Sequence, residues 1–154
     1  MVGNTFKFDR TYVGHLPAGA DLYESLTAVA HEENIRAGRI TGIGAVTHAV
    51  VSYYDQASRK YGSVDIDHGM EILSLVGNIS IKDGKPFVHA HITLADHDGR
   101  AFGGHLMPGT LVFAFEVFID VFKGEDLVRT PHEETGLALW QRGDLLVPAR
   151  RTVK

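Results

Sequence analysis

The feature that most restricts the fold of this chain is its period of two. After residue 38, apolar and polar residues alternate through "RITGIGAVTHAVVSYYD", "EILSLVGNISI", "PFVHAHITLAD" and "GTLVFAFEVFIDVFK". Alternation rich in β-branched and aromatic residues predicts half-buried strands. "KDGK" supplies a turn between two of them, "RTYVGHL" reads as a strand ahead of them, and "ETGLALWQ" reads as a last short one. Only "LPAGADLYESLTAVAHEENIRAG" breaks the pattern. There Leu22, Leu26, Val29 and Ala30 form one helical stripe, Asp21 with Glu24 resembles a capping box, and Gly38 suits the stop. The expectation is an α+β fold: a mostly antiparallel twisted sheet with one long helix packed on it, in a single domain spanning residues 1–154.

Composition narrows the chemistry. Hydrophobic residues make up 44% and charged residues 22%, the balance of a soluble globular protein. The formal net charge of −4 gives no general attraction to phosphate backbones. The basic "ARRTVK" end reads as a solvated tail. With no cysteine, disulfides and thiolate ligands are excluded, so a metal ion would need His, Asp or Glu. The N-terminus lacks the apolar stretch of a signal peptide, and the longest apolar run, "TLVFAFEVFIDVF", is broken by Glu116 and Asp120 and too short for a membrane span. A cytoplasmic location without a membrane partner is the expectation. Gly42 and Gly44 form a G-x-G, but Thr47 stands where a dinucleotide fingerprint needs its third glycine and no second helix follows. Those glycines read instead as a bulge or a close packing.

The segment "HAHITLADHDGRAFGGHL" holds four of the nine histidines. Within "PFVHAHITLAD", Val88, Ala90, Ile92 and Leu94 share an apolar face, leaving His89 and His91 on the opposite one. Residues two apart in a strand are about 6.5–7 Å apart, and imidazoles so spaced can converge on one ion with bonds of about 2.0–2.1 Å. If His97-Asp98-Gly99 is a three-residue loop with Gly99 left-handed, Asp96 pairs with Arg100 and His91 falls opposite His105. A two-residue loop, or a bulge at Gly103-Gly104, would change that register. The candidate metal ligands are thus His89, His91 and His105, with Zn2+ or another divalent transition metal as the ion and one position left for water or a small-molecule ligand. The bland alternative is three surface histidines bonded to neighbours. His97, in the turn, reads as solvated.

In "TLVFAFEVFIDVF", Leu111, Phe113, Phe115, Val117, Ile119 and Val121 form the expected core face, with Thr110, Ala114, Glu116, Phe118 and Asp120 opposite. A carboxylate in so apolar a strand needs a partner or solvent. Glu116 is therefore a candidate catalytic base or support for the histidines, or else a rim carboxylate paired with an arginine such as Arg39. Asp120 reads as a solvated face residue.

"AGRITGIGAVTHAVVSYYD", "GMEILSLVGNISI" and "HAHITLADHDGRAFGGHLMPGTLVFAFEVFI", in this order, resemble the PPC (plant and prokaryote conserved) domain over roughly residues 10 to 140. The resemblance implies a compact α+β domain that assembles as a homotrimer. In plants such domains follow AT-hook segments in nuclear DNA-binding proteins; in prokaryotes they stand alone, and some carry a metal on histidines, a pattern that maps onto His89, His91 and His105. No R-G-R-P hook occurs here. Where the plant block carries Arg between its Gly and Glu, this chain has Gly69-Met70-Glu71. The H-x-H sides with the metal-bearing prokaryotic group. Three functions follow for test: a metal-binding homotrimer with an assembly, ligand-binding or regulatory role; a DNA-binding protein; and a metal-dependent hydrolase with a zinc-bound water and Glu116 as base.

Overall fold

The computed structural model describes residues 5–140; the "ARRTVK" tail lies outside them. The elements run β1 (Lys7–Leu16), α1 (Leu22–Glu32), β2 (Gly38–Asp55), β3 (Lys60–Ile66), β4 (Met70–Lys82), β5 (Lys85–Ala95), β6 (Ala101–Leu106), β7 (Leu111–Lys123), β8 (Arg129–His132) and β9 (Leu137–Trp140). A mostly antiparallel sheet with one helix is what the period-two pattern called for.

The main sheet has the order β1-β7-β2-β4-β5-β6, and β3 pairs with β2. It also closes on itself. The 18-residue β2 pairs with β7 and β4 along its first part and with β3 along its second. There it also meets β6, through Val51↔Leu106 and Ser52↔His105. Strands β2, β4, β5 and β6 thus form a ring. The "KDGK" turn closes β4 onto β5 with Asp83 at φ 51° and Gly84 at φ 78°. Two successive left-handed residues are what a two-residue hairpin turn demands, and Gly adopts them without strain.

The helix is shorter than its sequence suggested, at 11 residues. Asp21 caps it as expected, its Oδ1 accepting from the Glu24 N–H at 3.0 Å. It ends well before Gly38, which instead opens β2. The positions that would continue the stripe after Ala30 are Glu33 and Asn34, both exposed, and Asn34 takes the left-handed conformation at φ 47°. Leu22, Leu26 and Ala30 are fully buried, and the helix lies against β5, where Val88, Ala90, Ile92 and Leu94 are equally buried.

The β7 face departs from simple alternation. Val112, Phe115, Val117, Ile119 and Val121 are buried, whereas Leu111 is 37% and Phe113 65% exposed. Pairing jumps from Ala45↔Ala114 to Val46↔Val112, which leaves Phe113 as an extra residue, and the register slips again before His48↔Leu111. A bulge reverses which side chains face inward beyond it. The same slip buries Thr110, expected on the polar face; its hydroxyl donates to the Val50 carbonyl and accepts from the Val50 N–H, both at 3.1 Å.

The G-x-G serves packing. A side-chain carbon on Gly42 would run into the Phe115 ring, and one on Gly44 into the Ala114 backbone; the β2–β4 pairing also slips between these glycines. Among the described residues no helix is long and apolar enough to cross a membrane.

Candidate metal centre

The site begins with a turn. The Asp96 N–H donates to the Arg100 carbonyl at 3.1 Å and the Gly99 N–H to the Asp96 carbonyl at 3.0 Å, with Gly99 at φ 76°. His97-Asp98-Gly99 is therefore a three-residue loop. Asp96 Oδ1 holds it, accepting from the N–H groups of Asp98 and Arg100, both at 2.9 Å. These bonds, led by that from Arg100, lower the Asp96 pKa from its ordinary value.

From this turn β5 and β6 pair without a slip from Ala95↔Ala101 to His91↔His105. The bulge considered at Gly103-Gly104 is absent. Those glycines instead permit close backbone approach: a side-chain carbon on Gly104 would lie 2.7 Å from the Ser52 carbonyl oxygen, and one on Gly103 would run into that of Ile92.

The register brings the three rings together on the face of β5 turned away from the helix. Ring centroids lie 5.2 Å apart for His89–His91, 4.8 Å for His89–His105 and 5.6 Å for His91–His105. One nitrogen from each falls within 4.8 Å of the others. Tetrahedral bonds of about 2.0–2.1 Å set ligand atoms roughly 3.4 Å apart, so small side-chain rotations bring these nitrogens to a common ion. Burial, then the Arg129 charge, lowers the His89 pKa to about 4. Burial also lowers that of His105, followed by the charges of His91 and Arg129. His89 and His105 are thus neutral near pH 7 and keep the lone pair that a divalent cation needs.

A cleft of about 710 Å³ opens over the rings. Its far wall is the β8–β9 hairpin, of which only the second strand carries a strand pattern in the sequence. Arg129 fastens the hairpin to the sheet: its guanidinium donates to Ser80 Oγ, Asn78 Oδ1 and the Ala138 carbonyl at 2.8–2.9 Å, and lies 3.3 Å from His89 Nδ1. From the other side, Tyr54 donates to the Thr135 carbonyl at 2.8 Å and Arg59 to that of Glu134 at 2.9 Å. Ser52, cross-strand from His105, also lines the cleft. It is 3% exposed, and its hydroxyl has no hydrogen-bond partner among the described residues. Metal-bound imidazoles need a partner for their second nitrogen, and an orphaned hydroxyl beside His105 fits that need.

Arg129 and Ser52 carried no signal in the sequence. "RTPH" lacks alternation and contains a proline, and Ser52 is one polar residue among many in β2. His97 lies in the turn, exposed, with its ring 3.4 Å from Asp98. Glu116 is not brought to the histidines. It is exposed on β7, opposite His15 and Ile43, and does not line the cleft. Arg39 pairs with Asp120 instead of Glu116, at 2.6 Å. Asp120 is correspondingly not merely solvated: it also accepts from the Thr11 hydroxyl at 2.7 Å, and these bonds, Thr11 first, lower its pKa.

Known proteins share this fold. A plant- and prokaryote-conserved protein from Pyrococcus horikoshii superposes with a TM-score of 0.88 at 37% identity, covering 94% of this chain and all (100%) of its own. A metal-containing protein from Archaeoglobus fulgidus gives a TM-score of 0.85 at 41% identity, over 91% and 98% of the two chains. A candidate DNA-binding protein from Bacteroides thetaiotaomicron gives 0.79 at 26% identity, over 89% and 97%. Among curated relatives, a bifunctional protein GlmU from Synechococcus sp. (strain JA-3-3Ab) is 33% identical over 105 residues, which is 68% of this chain but 16% of that protein. This chain therefore spans about a sixth of that relative's length. Residues 3–123 match the Plants and Prokaryotes Conserved (PCC) domain, and the chain belongs to that family.

Proposed function

We propose that this chain is a metal-binding domain that holds a divalent transition metal, zinc in the first instance, on His89, His91 and His105, assembles as a homotrimer and presents the ion to a small ligand. The observation that carries the reading is the convergence of three imidazole nitrogens within 4.8 Å at the floor of a cleft. The metal-containing relative from Archaeoglobus fulgidus supports it. Three neutral ligands leave an open position on a tetrahedral ion, where water or a ligand oxygen can bind.

Self-assembly draws its support from the outer face of the sheet. Val13, Phe118 and Val76 lie along one row across the strands and are 66%, 52% and 57% exposed. Thr41 stands between Phe118 and Val76 in that row, and large apolar side chains exposed around one small polar residue fit a contact surface.

Metal analysis of protein purified without added zinc tests the central claim. One ion per chain is expected, with His89→Ala, His91→Ala and His105→Ala each reducing the content to a small fraction. Wild-type protein without bound metal, unable to take up zinc on addition, would end the reading. DNA binding is the second reading, favoured by the candidate DNA-binding relative and opposed by the net charge of −4. Binding to duplex DNA that falls steeply with salt is its test. The hydrolytic reading would need a base other than Glu116, given where that residue lies.

A further inference from the structure

The charges around the cleft point to what it holds. Arg129 and Lys82 line it, and no Asp or Glu does among the described residues. Neither cation has a carboxylate partner among the described residues. Arg129 donates to Ser80, Asn78 and Ala138, all neutral, which engages three of the roughly five N–H groups of a guanidinium and leaves its charge uncompensated; the single lone pair of a neutral His89 is kept for the ion. Lys82 Nζ lies 5.0 Å over the Phe87 ring, and the Arg129 guanidinium lies 5.5 Å over the same ring. With a divalent ion on three neutral imidazoles, the cleft would have four positive charges and, among the described residues, no negative one, in a chain whose net charge is −4. A charge imbalance of this kind, partly shielded from water, selects an anion. The cleft volume of about 710 Å³ is that of a small-molecule site. Tyr54, Tyr61 and Phe87 supply aromatic surface for an organic body, which a bare inorganic anion would leave unused.

We propose that the cleft is a binding site for a small organic carboxylate, its anionic head taken by Arg129 and Lys82 beside the metal and its body resting on Tyr54, Tyr61 and Phe87. This rests on the metal reading above and adds to it the class of ligand. Both cations belong to this chain's own cleft wall, and Arg129 lies beyond the residues that match the family.

The test is calorimetric titration of the zinc-loaded chain with benzoate, with benzamide as the neutral isostere and inorganic phosphate as the bare anion. Zinc content is measured on every variant. Benzoate is expected to bind at least tenfold more tightly than either control. Arg129→Met and Lys82→Met should each weaken benzoate about tenfold while zinc stays at one per chain, and Arg129→Lys should restore part of the loss. Should Arg129→Met disturb the hairpin, Lys82→Met decides, because Lys82 does not fasten it. Benzoate binding no tighter than benzamide, phosphate binding tighter than benzoate, or indifference to both substitutions overturns the proposal. Failure of the wild-type chain to take up zinc would sink the metal reading, and the same titration of the metal-free chain then decides whether benzoate is preferred through Arg129 and Lys82.

Discussion

At the scale of single residues, the site depends as much on small side chains as on ligands. Gly103 lies between His105 and the turn, where any Cβ meets the Ile92 carbonyl. Gly103→Ala should therefore force the β5–β6 pair apart and cost about 1–3 kcal/mol, as overpacking typically does. Chemical denaturation checks this, and zinc affinity should fall in parallel because His105 sits two residues away. The histidine face was legible from the sequence because strand alternation is strict where no bulge intervenes, and β5 has none between His89 and Leu94 apart from a slip on its partner strand. The roles of Arg129 and Ser52 were not legible: each depends on a neighbour distant in the chain, Asn78 lying 51 positions from Arg129 and His105 lying opposite Ser52 through the ring closure. For the same reason the sequence offers Arg39 only as an example partner for a rim Glu116, whereas it pairs with Asp120. Asp120 lies directly opposite Arg39 in the pairing of β2 with β7, a register no local pattern discloses.

At the scale of elements, the β5–β6 hairpin turns loop length into chemistry. Its three-residue loop sets His91 opposite His105. Deleting Gly99 leaves two loop residues and shifts β6 by one, which turns the 105 ring to the other face. The expected outcome is loss of bound zinc comparable to His105→Ala, read by metal analysis, with the circular dichroism of a folded β protein retained. The helix is the contrasting case, since its contribution is burial. Leu26 is 1% exposed, and Leu26→Ala should cost about 2–5 kcal/mol, seen as a lower denaturation midpoint, while zinc content in the folded protein stays at one per chain. Element types were readable because the periods of 2 and 3.6 rarely mimic each other. The helix end and the β7 face differ from the local pattern because an Asn in the left-handed conformation and a bulge at Phe113 are settled by the partner strands and the turn geometry. Strand β3 carries its apolar residues on a partly exposed hairpin, so its pattern is weak.

At the scale of the whole molecule, two expectations follow. The exposed row of Val13, Phe118 and Val76 should be covered by another copy, so Phe118→Asp should convert the assembly to monomers in light scattering at micromolar concentration while each chain remains folded. A wild-type monomer would remove the basis for that assignment. Acid tolerance is the second. Asp96, Asp120 and Asp126 all have folded-state pKa values below the ordinary carboxylate value, held there chiefly by the Arg100 N–H, the Thr11 hydroxyl and the Arg36 side chain, respectively. A carboxylate with a depressed folded pKa binds fewer protons when folded than when unfolded. Its stabilisation is complete above the unfolded pKa of about 3.9 and is lost as pH falls through the folded value. Melting temperature should therefore decline below about pH 4, and substituting all three residues with Asn should flatten that decline.

The β8–β9 hairpin borders the rings, yet the family match ends at residue 123, before its first strand begins at Arg129. Chelation is thus encoded in one stretch of sequence and one wall of the chamber in another. Exchanging that wall between relatives would retune what is admitted and leave the chelating strands untouched.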